Sequence, residues 1–312
     1  MSVKPARESV TFTGAAGDRL VADVFGASGP PVLLLHGGGQ TRHAWRNTCT
    51  RLVSAGWQAY ALDQRGHGES DWIADGSYRF ADFAADAKSV AVALAERHGQ
   101  SPVLIGASLG GIAGLLAAGD ARADESAAIS RLILVDITPR VDPNGVSKVH
   151  GFMRAHAREG FASVQEAADV VALYLPHRPR PKSNEGLKKN LRLGPDGRWR
   201  WHWDPRFVDG PHPVTDDRGI LERELLEAAS RIRIPTLLVR GASSELVRDA
   251  DMQEFLQLVP QANYVDVAGA RHMVAGDRND AFSAAILEFL SRPQISPRHE
   301  SGEFAPGKSR RG

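Results

Sequence analysis

Gly106-Ala107-Ser108-Leu109-Gly110 is a G-x-S-x-G pentapeptide, flanked by an apolar run (PVLIG, 102–106) and a small-residue stretch (LGGIAGLLAAG, 109–119). A serine on a sharp strand-to-helix turn holds its hydroxyl clear of a sheet and at a helix N-terminus. Backbone N–H groups favour negative charge there. A hydroxyl becomes a nucleophile only when a base takes its proton. The expected base is His272, in a loop (VAGARHM, 267–273) between the last strand and the last helix. The rivals His36 and His67 lie in Gly-rich turns that have other roles. The base needs an acid to fix its tautomer. Glu245, which follows the strand IPTLLVR, is the expected acid; Asp136, at the end of RLILV, is the alternative, and Asp266 a remote third. The oxyanion of an acyl-transfer intermediate needs two N–H donors. The spacing assigns these to Leu109 and to Gly38 in His36-Gly37-Gly38-Gly39, with Gly39 as the alternative. A phosphate-cradling loop would need a Lys-Ser/Thr pair or G-x-G-x-x-G, and neither is present.

The elements that must carry these residues alternate. Strands are expected at 19–25, 31–35, 57–62, 102–106, 131–135, 234–240 and 263–267, and helices at 42–55, 81–98, 109–119, 248–259 and 279–290. Continuous apolar strands between helices indicate an α/β fold, with a mostly parallel sheet of about eight strands covered by helices. Residues 140–230 break this rhythm, with helix-like stretches and Pro-rich turns but no buried-strand run, and are expected to form a mainly helical cap insertion. The core is then 1–139 and 231–292, and 293–312 is expected to be a disordered tail.

Composition sets outer limits. The 312 residues carry 38 Lys and Arg against 37 Asp and Glu, a net charge of +1, so no global field draws the chain to nucleic acid or an anionic membrane. No apolar stretch reaches the ~18 residues of a membrane span, and the first residues (MSVKPARESVTF) lack the apolar core of a secretory signal. Cys49 is the single cysteine, which excludes an internal disulfide and a cysteine-rich zinc site; a cytoplasmic location is expected.

Three motifs, HGGG at 36–39, DQRGHGES at 63–70 and GASLG around Ser108, give the chain a resemblance to the α/β-hydrolase superfamily over about residues 9–291. Ser…Glu…His is also that arrangement's order. DQRGHGES resembles the D-x-R-G-H-G-x-S segment of its esterases, epoxide hydrolases and dehalogenases. The resemblance implies that Asp63 and Arg65 sit in buried hydrogen bonds, that His67 is not catalytic, and that a cap follows the strand RLILV. Epoxide hydrolases and dehalogenases of this kind use an aspartate at the elbow, so Ser108 implies acyl transfer rather than alkyl displacement. Two positions depart from the pattern: Glu245 stands where Asp is common, and Arg271 where Gly commonly precedes the histidine.

Trp199, Trp201 and Trp203 alternate with Arg200 and His202, which puts three rings on one face of an extended segment. At least two are expected to pack the cap on the core, while Trp201, Trp203 and Met273 are candidates for the substrate pocket. The expected activity is hydrolysis of a small carboxylic ester through an acyl-enzyme, with no metal or cofactor. The alternatives are lactone hydrolysis, C–C bond hydrolysis or perhydrolysis on the same residues, and a ligand-binding protein without turnover.

Overall fold

The apolar runs become strands buried on both faces. The computed structural model describes residues 7–120, 128–214 and 218–292, so the expected tail at 293–312 lies outside the described residues. Strands β3 (Pro31–Leu35), β6 (Arg131–Val135) and β9 (Thr236–Gly241) are buried at every position, and β5 (Val103–Ala107) at all but its last. Alternate residues along these runs serve two different cores. Leu33, Leu35, Leu104, Leu132, Leu134 and Leu238 pack with α2 (Phe80–His98), α3 (Leu109–Ala118), α7 (Arg218–Arg231) and α8 (Asp249–Leu258). Val32, Leu34, Ile105, Ile133, Val135 and Val239 pack on the other side with α1 (Arg46–Ser54) and α10 (Asn279–Ser291). That double burial explains why the sequence shows no polar alternation.

The sheet has eight strands in the order β1-β2-β4-β3-β5-β6-β9-β10. Strands β1 (Arg7–Thr13) and β2 (Arg19–Phe25) pair antiparallel, as do β2 and β4 (Gln58–Leu62). All the remaining pairs, out to β10 (Asn263–Val267), are parallel. The loops after β3, β5, β6, β9 and β10 therefore open at one edge, where ligands of such sheets collect.

The long connection from β6 to β9 holds α4 (Pro143–Ala155), α5 (Val164–Tyr174), the short strands β7 (Leu191–Leu193) and β8 (Trp199–Trp201), the one-turn helix α6 (Arg206–Asp209), and α7. Two features differ from the sequence expectation. First, β7 and β8 form an antiparallel hairpin inside the stretch expected to lack strands, with Leu191 opposite Trp201 and Gly197 at φ 75° in the turn. Second, the segment does not stay apart from the sheet layer up to residue 230. Helix α7 packs on α3: Arg231 Nε donates to Gly119 O at 2.8 Å, and a methyl on Gly119 would meet Ala228 O at 2.2 Å.

The stretch before α7 is tied to the core by backbone pairs. Gly68 N–H donates to His202 O at 2.7 Å, and Asp204 N–H to Gly66 O at 2.8 Å. The buried Asp204 carboxylate accepts from the Tyr78 hydroxyl at 2.7 Å and is answered by Arg206 at 2.6 Å.

Candidate functional site

Among the described residues only two non-glycine residues have positive φ: Ser108 at 47° and Asp136 at 50°. Each such position costs about 1–3 kcal/mol, and these clusters mark functional sites. They sit at the ends of neighbouring strands, β5 and β6. Ser108 N–H donates to Val135 O at 3.3 Å, and Asp136 N–H to Val239 O at 2.8 Å, so each turn is fastened to the next strand. Ser108 begins α3, and glycines make its turn possible. A methyl on Gly106 would lie 2.2 Å from Gly110 O, and one on Gly110 2.4 Å from Leu35 O.

His272, in the loop after β10, places Nδ1 2.8 Å from Asp136 Oδ2. Asp136 is fully buried, and its carboxylate also accepts the Gly241 N–H at 2.9 Å and the Ser244 hydroxyl at 2.6 Å. With Nδ1–H donating to that carboxylate, Nε2 is left as the free base. Ser244 Oγ in turn accepts the N–H groups of Leu246 and Val247, each at 3.1 Å, so it is locked in place. Ser244 was not among the residues expected from sequence. It is one of two serines in an unremarkable Gly-Ala-Ser-Ser turn, and only the approach of β6 gives its hydroxyl proton an acceptor, Asp136 Oδ2.

Glu245, the expected acid, is not the partner of His272. Its carboxylate accepts from Arg271 Nη1 at 2.8 Å, in a half-exposed pair. Burial would raise the Glu245 carboxyl, but the Arg271 hydrogen bond and the charges of Arg271 and Lys148 hold it below its ordinary value. The reason is placement: β6 lies between β5 and β9 in the sheet, which brings Asp136 under the histidine loop, while the neighbouring Arg271 captures Glu245. Asp266 is engaged by Arg240 at 2.7 and 2.9 Å.

In the His36–Gly39 loop, Gly38 rather than Gly39 has its N–H free to donate. Gly37 N–H donates to Gln40 Oε1 at 3.2 Å and Gly39 N–H to His67 Nε2 at 3.1 Å, whereas among the described residues the Gly38 N–H has no acceptor. A Cβ on Gly38 would stand 3.9 Å from Leu109 Cβ, so the two candidate donors are neighbours. Leu109 N–H belongs to the first turn of α3, where no intrahelical acceptor exists, while Gly110 N–H is taken by His36 O at 3.2 Å.

His36 and His67 are scaffold histidines. Each donates Nδ1–H to a carbonyl, Gly37 O at 2.8 Å and Arg65 O at 2.9 Å. Each accepts an N–H at Nε2, from Gln64 and Gly39 respectively. Burial pushes the His36 pKa down to about 4. Burial and the facing His36 push His67 down to about 3. Both are therefore neutral, with no free ring nitrogen. Asp63 and Arg65 are also engaged in the interior. Asp63 accepts from the Arg42 N–H at 2.6 Å and from its guanidinium, and Arg65 grips Asp86 at 2.6 and 2.7 Å.

Three side chains from the β6–β9 connection wall the oxyanion loop. The Phe207 ring would be 3.4 Å from a Cβ on Gly38; Met153 Cε and Trp203 Nε1 would be 3.1 and 3.7 Å from one on Gly39. Trp203 thus borders the site, while Trp201 lies one layer back, its ring against Phe152 and Phe161. Met273 lines a small cleft beside His272. Among the described residues, no group of three His, Cys, Asp or Glu side chains is placed to hold a metal ion, and no helix is long and apolar enough to cross a membrane.

Residues 30–278 match the α/β-hydrolase fold family. The chain belongs to that family. This α/β hydrolase is 32% identical over 234 residues to Esterase Rv0045c of Mycobacterium tuberculosis, covering 74% of this chain and 72% of that protein. A solved structure of that esterase superposes with a TM-score of 0.73 and 28% identity, covering 94% of both chains. The chain is also 27% identical to 2-(acetamidomethylene)succinate hydrolase of Mesorhizobium japonicum, over 84% of this chain and 88% of the other. A crystal structure of an E-2-(acetamidomethylene)succinate hydrolase shares the fold at a TM-score of 0.79 and 24% identity, over 92% of this chain and all of that one.

Proposed function

We propose that this α/β hydrolase cleaves carboxylic esters through a Ser108–His272–Asp136 triad. The observation that carries the reading is the 2.8 Å contact between His272 Nδ1 and a buried carboxylate that also receives Gly241 N–H and the Ser244 hydroxyl. That arrangement leaves Nε2 basic at the sheet edge that carries the Ser108 elbow. The esterase name of the relative from Mycobacterium tuberculosis supports the same chemistry.

In this mechanism His272 Nε2 accepts the Ser108 hydroxyl proton as Oγ adds to the ester carbonyl carbon. The tetrahedral oxyanion rests on the N–H groups of Leu109 and Gly38. Collapse breaks the bond to the alcohol oxygen, which takes the proton from His272, and the acyl group stays on Oγ. Water then repeats the sequence, releasing the carboxylic acid and restoring the serine. Asp136 holds the imidazole in the Nδ1–H tautomer and stabilises the imidazolium of each step. The stretch from α4 through α6 acts as the cap, and its Phe207, Trp203 and Met153 pack against the loop that carries the Gly38 donor. The DQRGHGES segment is scaffold, its His67 steering the oxyanion loop.

The test is a panel of p-nitrophenyl esters, run beside lactones, with stoichiometric fluorophosphonate labelling. Ser108→Ala abolishes labelling and lowers kcat by several orders of magnitude while the protein stays folded. Ester turnover that survives this substitution refutes the assignment.

A further inference from the structure

The cleft beside His272 is lined with more charge than the proposed triad uses. Its walls come from α4 (Gly145, Lys148, Val149), from Tyr174 at the end of α5, and from the loops carrying Glu245, Arg271 and Asp277. Gly145 lets α4 lie close: a methyl there would meet Glu245 O at 2.3 Å. Lys148 and Val149 follow it at three and four residues, so they share its helix face.

Counting Arg178, which pairs with Asp277 from outside the lining, the cationic side chains around this cleft outnumber its carboxylates. Asp277 is fully answered, by Arg178 Nε at 2.6 Å on one oxygen and by the Arg271 N–H at 3.0 Å on the other. Glu245 is answered by Arg271 Nη1 at 2.8 Å. Lys148 acts on Glu245 only through space: among the described residues it has no carboxylate within 4.0 Å, and its ammonium lies 6.0 Å from the Tyr174 ring centre. Arg271 spends one side-chain N–H on Glu245, and a guanidinium has five. Burial and the Glu245 charge push the Tyr174 hydroxyl up to about 12, so it stays a neutral donor. Val149, Leu175, Leu246 and Met273 supply apolar wall between these groups and His272.

We infer that this cleft is a subsite for a carboxylate carried by the substrate, bound by Lys148 and the free donors of Arg271, so that the enzyme prefers half-esters of dicarboxylic acids to neutral esters of equal length. The inference rests on the proposed ester hydrolysis for its meaning in turnover, but the binding of the anion does not depend on it.

The experiment has two arms on the full chain. In the first, kcat/KM is compared for p-nitrophenyl hydrogen glutarate and p-nitrophenyl pentanoate. The wild type prefers the glutarate about tenfold at low salt, an effect of the size expected for one charge at a water-exposed site, and the preference shrinks at high salt. Lys148→Met removes most of that ratio and Lys148→Glu inverts it. In the second arm, calorimetry measures binding of glutarate itself to wild type, to Ser108→Ala and to Lys148→Glu. Glutarate binds the first two alike and the third at least tenfold more weakly. Equal binding to wild type and Lys148→Glu, or an ester ratio that neither Lys148 substitution moves, overturns the inference. If neither ester is turned over while glutarate still binds in a Lys148-dependent way, the subsite stands and the esterase reading falls.

Discussion

Replacing Asp136 by Asn separates the two carboxylates near the histidine loop. The substitution keeps the shape of a fully buried side chain. Its amide oxygen can take the Oδ1 position and go on accepting Gly241 N–H, now 2.9 Å away. Its NH2 group then replaces Oδ2, which accepts from His272 Nδ1 at 2.8 Å and from the Ser244 hydroxyl at 2.6 Å. The Ser244 hydroxyl already accepts the N–H groups of Leu246 and Val247, so it takes the new N–H only by giving one of them up. The imidazole can adapt only by moving its proton to Nε2, and then it has no lone pair for Ser108. The loss expected for a triad locked in the wrong tautomer is about 10⁴ in kcat, with little change in KM. Glu245→Gln removes a half-exposed ion pair with Arg271, worth at most about 1 kcal/mol, so kcat changes less than about fivefold. The assay is p-nitrophenyl ester hydrolysis of both variants, with circular dichroism to verify folding. An Asp136→Asn enzyme within tenfold of wild type, or a Glu245→Gln enzyme that loses more, refutes the argument.

Three further outcomes follow from the same contacts. Ser244→Ala deletes a donor to a buried carboxylate and the acceptor of two N–H groups; urea melts lose about 1–3 kcal/mol, and kcat falls more than KM changes. His36 and His67, with folded pKa values of about 4 and about 3, are both below the unfolded value of about 6.5, so the native state binds fewer protons and stability is full above pH 6.5. Lowering the pH to 5 costs about 2 kcal/mol for each of them, and a urea midpoint that stays flat between pH 7.5 and pH 5 contradicts this. Gly110→Ala drives a methyl to 2.4 Å from the Leu35 carbonyl; it lowers Tm and kcat together, whereas Ala in place of Gly186, where an added methyl would have open space and φ is not positive, leaves both unaltered.

Ser108 and His272 can be singled out along the chain because each is framed by its own neighbours: a strand and a small-residue helix around Ser108, a last strand and helix around His272. The acid cannot. Asp136 and Glu245 both follow strands that end at the same edge, and chain order admits either. What separates them is strand order, which interposes β6 between β5 and β9, and the φ of 50° that turns Asp136 towards the histidine loop. Neither is visible along the chain. The alternating tryptophans mark the extended segment of β8, but its pairing with β7 is not legible, because the three residues of β7 are too few to show a period. Helix α7 was read as insertion because its sequence, RGILERELLEAASR, is mostly polar, and only Leu225, Ala228 and Ala229 reveal its buried side.

The fastening of Gly68 to His202 and of Gly66 to Asp204 threads the roof of the active site through the same turn that anchors the oxyanion loop via His67. Roof and floor are therefore one mechanical unit on that side. Exchanging the roof for a foreign one, as a route to new selectivity, would also shift the donors that stabilise the charged intermediate.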